Sequence, residues 1–133
     1  MSFSGPVKTQ WNDDGVNMTV IETISYTDPQ GRIWYAEEGL VTDGATIPQE
    51  LWSLFGSPFT GAYRVAAVFH DAAYSDPGVL KADADHMLYQ AMLELKCPLW
   101  QADAIYSGVK DFASLAFTRN QVSAAETIAG IAK

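Results

Sequence analysis

Apolar and polar positions alternate through the first third of the chain. Val16, Met18, Val20 and Ile24 share one parity among Thr and β-branched neighbours, the period of half-buried strands. Asp28-Pro29-Gln30-Gly31 carries turn chemistry and joins Ile21–Thr27 to Arg32–Glu37 as a hairpin. Asn12-Asp13-Asp14-Gly15 marks an earlier turn. A small antiparallel sheet of about three or four strands is therefore expected within residues 6–41.

Beyond Thr42 the period lengthens to that of helices. Pro48 suits the first turn of a short helix over Pro48–Phe55, which Gly56-Ser57-Pro58 stops. A longer helix is predicted from Thr60 to Ser75, broken by Asp76-Pro77-Gly78, and another from Leu80 to Lys96. Cys97-Pro98 opens a fourth, running to Phe117, and an Ala-rich last helix covers Gln121 to Ala132 after Thr118-Arg119-Asn120. The expectation is an α+β fold in a single domain over 1–133, with a β-rich part at 6–41 and a helical part at 48–132.

Helical projection at about 100° per residue sorts the polar groups. Val65, Val68, Phe69, Ala72 and Ala73 form a core face, while His70 shares a second stripe with Tyr63, Ala66, Ala67 and Tyr74. Asp71 is rotated away from His70, so the two need separate roles. On the following helix Leu88, Ala91, Met92 and Leu95 are the apolar face with Asp85 at its edge, whereas Asp83, Gln90 and Glu94 cluster opposite. A tight turn at Asp76–Gly78 makes the two helices antiparallel neighbours and would bring Asp85 against the His70 ring. A carboxylate on one ring nitrogen fixes the tautomer and leaves the other as a base. The plain alternative is a buried, satisfied histidine.

Composition narrows the partners. A formal charge of −8, with eight scattered Lys and Arg, argues against nucleic acid. It would also repel an anionic bilayer, so contact with a phospholipid or membrane surface would rest on apolar groups or a bridging cation. A single cysteine, Cys97, leaves no intrachain disulfide or Cys-based zinc site, and reads as a small packed side chain. No signal peptide or stretch of about twenty apolar residues is evident.

His70-Asp71-x-x-Tyr74 followed by Ala84-Asp85-x-x-Leu88-Tyr89 resembles the paired helices of secreted phospholipases A2, with Leu88 in place of the usual Phe. The family disulfides and the Gly-rich, Cys-containing calcium loop have no counterpart here. The resemblance implies a phospholipase-A2-like antiparallel helix pair in which His70 is the base for water attacking an ester carbonyl. Asp85 would orient the ring, Tyr74 would support Asp85, and Asp71 would ligate Ca2+. Asp43, in an Asp-Gly segment before the His helix, would be a second ligand or simply part of an ordinary turn, with Thr46 capping the helix that begins near Pro48. Trp52, Leu54, Phe55 and Phe59 would seat acyl chains or pack in the core.

From Gly39 to Ile105, Thr42-Asp43-Gly44-Ala45-Thr46-Ile47-Pro48 and the two helix motifs also resemble an uncharacterised family common in phages and prophages. That likeness implies the host cytoplasm or a phage virion as the setting. It supports a rival, non-catalytic reading, a tail, neck or host-interaction component bound to phage structural proteins. A His-Asp phosphohydrolase would need further histidines, and the other one, His86, faces solvent in the projection. A nucleophilic hydrolase lacks a Gly-x-Ser-x-Gly elbow, and Cys97 lacks an evident base.

Overall fold

The computed structural model describes residues 3–14, 17–42 and 64–112. Among these residues five short strands precede three helices: β1 Thr9–Trp11, β2 Met18–Val20, β3 Ile24–Thr27, β4 Ile33–Ala36, β5 Val41–Thr42, then α1 Arg64–Tyr74, α2 Lys81–Glu94 and α3 Leu99–Phe112. The fold is α+β, as the patterning predicts. The predicted helices over Pro48–Phe55 and Gln121–Ala132 lie outside the described residues, as do Asp43, Tyr63, Trp52, Leu54, Phe55 and Phe59.

The strands divide into two antiparallel sheets rather than one, β1-β2-β5 and the β3-β4 hairpin. The expected strand Ile21–Thr27 breaks at its start. The Ile21 N–H still pairs with the Lys8 carbonyl beside the first sheet, at 3.0 Å. Residues 21–23 are exposed, and regular pairing resumes at Ile24, which lies opposite Ala36. Ile21 and Ile24 have opposite parity, so one flat strand cannot bury both, and the chain uses the step to change sheets.

The hairpin obeys its alternation. Ile24, Tyr26, Trp34 and Ala36 are buried as two directly opposed pairs, Ile24–Ala36 and Tyr26–Trp34, with Ile33 and Tyr35 on the solvent side. Its turn needs Gly31, at φ +89°, and Asp28 organises the rest. One Asp28 oxygen accepts the Gln30 and Arg32 N–H groups at 3.0 and 2.9 Å, and the other accepts the Trp34 indole N–H at 3.0 Å. Phe3 stacks on Tyr26 and leans on Phe69, which ties the chain's start to α1.

Packed against β4 and β5 on one side and α2 on the other, α1 has eight of its eleven residues buried. The described residues of both stripes read from its sequence are thus inside, although Val65 and Ala72 are only half-buried. The turn to α2 uses Gly78 at φ +94°. Ala84, Met87, Leu88, Ala91 and Met92 then face α1 and α3 as part of one continuous apolar cluster. Among the described residues no helix is long and apolar enough to cross a membrane.

Candidate functional site

Three polar side chains of α1 and α2, His70, Tyr74 and Lys81, converge on one carboxylate. Ala66, Ala67, His70, Ala73 and Tyr74 lie on the buried side of α1, and alanines at three of these places let α2 come close. Asp85 occupies the inner stripe of α2 one turn before Leu88, and is 2 % exposed. Its Oδ1 accepts from the Tyr74 hydroxyl at 2.6 Å and lies 2.8 Å from His70 Nε2. Its Oδ2 accepts from Lys81 Nζ at 2.7 Å. Three donors thus surround an acceptor-only group, which is how a buried charge is made tolerable.

These contacts fix protonation states. Burial alone would push the Asp85 carboxyl upward, but the hydrogen bonds from His70, Lys81 and Tyr74 outweigh it and hold the group below its ordinary value. It is therefore ionised and can only accept. For His70, complete burial holds the imidazole below its ordinary value, against the pull of Asp85. A neutral ring facing a carboxylate through Nε2 carries its hydrogen there, so Nδ1 presents a lone pair. Nδ1 is buried and has no hydrogen-bond partner among the described residues. The Tyr74 hydroxyl, pushed up by burial and by Asp85, stays protonated as a donor.

The structure thus brings together His70, Tyr74 and Asp85, three of the five residues read as a site from sequence. Asp71 is buried too, on the adjoining part of α1. Asp43 lies outside the described residues. Asp83 is exposed and reaches Arg32 at 3.3 Å, so the helix projection picked the inward carboxylate of the pair. Lys81 escaped the sequence reading, although its i, i+4 spacing to an inward Asp85 was a usable signal. A groove of about 530 Å³ between β4 and the end of α1 is lined by Trp34, Tyr35, Ala72, Ala73 and Val79, and of the described site residues none lines it.

Chemically, the arrangement can take a proton at His70 Nδ1 and stabilise the resulting imidazolium through Asp85. An oxygen-seeking cation would find its donor type in the Asp71 carboxylate. Among the described residues no three His, Cys, Asp or Glu side chains are grouped closely enough to form a complete metal cluster.

Residues 18–109 match the family described as "Protein of unknown function (DUF1353)". The chain is also similar to "Uncharacterized protein y4jT" of Sinorhizobium fredii (strain NBRC 101917 / NGR234), 38% identical over 88 residues. That alignment takes in 66% of this chain and 26% of the relative, so the chain spans about a quarter of that protein's length. No solved structure matches.

Proposed function

Since the chain belongs to the DUF1353 family, its chemistry has to be read from the site itself, and we propose that it is a hydrolase of the phospholipase A2 type acting on phospholipid esters. One observation carries the reading. His70 is neutral, clamped at Nε2 by an ionised carboxylate, and its Nδ1 lone pair has no partner among the described residues. A histidine serving packing alone has no need of that asymmetry, and a buried polar atom without a partner costs about 1–3 kcal/mol.

In the reaction, Nδ1 takes a proton from water as its oxygen attacks the ester carbonyl. The imidazolium is stabilised by Asp85 and returns the proton to the leaving alkoxide. The Tyr74 and Lys81 donors keep the Asp85 carboxylate turned toward the ring throughout. The Asp71 carboxylate, with Asp43, would hold Ca2+, whose chemistry when bound is to polarise the carbonyl and engage the phosphate.

The test is fatty-acid release from mixed phospholipid vesicles, with calcium or with chelator, by the wild type and His70→Gln. Release that needs His70 and falls with chelator is expected. A folded wild type no faster than His70→Gln in every condition overturns the proposal for these lipids.

A second reading has its own support in the complete burial of His70. In a non-catalytic virion or host-interaction component, the same pair would fix the register of α1 on α2. It requires that His70→Gln lower stability while the wild type releases no fatty acid.

A further inference from the structure

We infer that Lys81 is a positioning residue for the His70–Asp85 pair, holding the Asp85 carboxylate in one rotational state and tying it to α3. The inference rests on the hydrolase reading for its catalytic consequence, but its geometry stands on its own. A carboxylate is symmetric, and rotation about its terminal bond exchanges the two oxygens. Here they are not equivalent. Oδ1 is shared by His70 Nε2 and the Tyr74 hydroxyl, and Oδ2 goes to Lys81 Nζ.

Lys81 is itself fixed. Its ammonium has three hydrogens, and its partners are Asp85 Oδ2 at 2.7 Å and the Val109 and Lys110 carbonyls of α3, each at 3.2 Å. A lysine so bonded differs from Lys8, which pairs with Glu22 on the surface with a side chain 53% exposed. The Lys81 side chain is 20% exposed and that of Asp85 3%. The ion pair is thus largely shielded from the screening that makes surface pairs weak. Through it the placement of α3 is transmitted to the ring that carries the base.

Two measurements test this, one of them independent of activity. By NMR of the wild type near neutral pH, the Lys81 ammonium is expected to be protected from solvent exchange, and the His70 Nε2–H proton to resonate downfield against the carboxylate. In Lys81→Met that proton should move or broaden, and in Lys81→Arg, which keeps the charge and donors, it should return toward its wild-type position. Where the wild type releases fatty acid, Lys81→Met should lose about 10²-fold in kcat with KM nearly unchanged, the size expected when a reacting group is misplaced by about 1 Å. Lys81→Arg should recover most of it.

A Lys81 ammonium exchanging as fast as that of Lys8 overturns the inference without any variant. So does a Lys81→Met protein that melts lower but keeps the His70 resonance and, where there is activity, its kcat. Absence of hydrolysis in the wild type overturns the proposed function alone, because the NMR comparison still decides the positioning role.

Discussion

At the scale of single residues, Asp85 is defined by a demand that only a carboxylate meets. Oδ1 must accept two hydrogen bonds and Oδ2 a third. Asparagine has one accepting oxygen and one donating nitrogen, so Asp85→Asn sets an N–H against either the Lys81 ammonium or the His70 Nε2–H. Turning the amide one way abandons Lys81, and turning it the other drives the ring to its other tautomer. Asp85→Asn should therefore reduce fatty-acid release by about 10⁴-fold, by analogy with an orienting Asp in a catalytic triad. It should also lower stability in urea by about 3 kcal/mol, as breaking a buried ion pair does. Asp83→Asn, two residues away and exposed, removes only a 3.3 Å surface pair with Arg32 and should do neither. Equal losses at the two positions would contradict the assignment of faces on α2.

Among whole elements, the end of α2 shows what holds the helix pair's frame. The Lys96 N–H bonds the Leu93 carbonyl at 3.1 Å and the Cys97 N–H bonds the Met92 carbonyl at 3.0 Å, while Lys96 itself sits at φ +67°. This is a Schellman cap with lysine where glycine is usual. A side chain there costs about 1–2 kcal/mol, so Lys96→Gly should raise stability by about 1 kcal/mol in thermal or urea unfolding. A decrease would mean that the Lys96 side chain itself contributes to the cap. The hairpin offers the opposite case: Asp28→Ala strips three acceptor contacts and leaves the buried Trp34 indole N–H unpaired, at a cost of about 3 kcal/mol by the same measurement.

The same elements show where sequence was legible. Turn chemistry at 28–31 and 76–78 and helical period in α1 and α2 are local signals, and they placed the hairpin, both helices and the inward Asp85. The division into two sheets depends on which strand finds β2, a long-range choice made when Gly39, at φ +95°, turns β5 back beside it. Lys81 was hidden for a related reason, since two of its three partners belong to α3, which is 28 and 29 residues away.

For the molecule as a whole, the question is how stability responds to acid. The chain carries a formal charge of −8 and a sequence pI near 4.4, so lowering the pH from neutrality relieves its self-repulsion. The buried site works the other way. An unfolded histidine titrates near its ordinary 6.5, whereas burial lowers the folded His70 below that. Across that interval the unfolded state binds more protons, ∂ΔG/∂pH is positive, and stability present above pH 6.5 is lost as the pH falls through the folded value. Burial sets most of that shift, with Asp85 on α2 opposing it and Lys81 on α2 adding to it. Asp85, held below its ordinary 3.8, adds a second loss of the same sign in stronger acid. Urea midpoints of the wild type should therefore fall as the pH is lowered from 7.5 through 6.5 and below. His70→Gln, which has no proton to take up, should be flatter over the first interval and should converge on the wild-type slope only where Asp85 titrates. Parallel curves for the two proteins below pH 6.5 would show that the folded and unfolded states bind the His70 proton equally well. Burial would then not be lowering the proton affinity of the folded ring, and the assignment of a neutral His70 from its surroundings would fail through that interval.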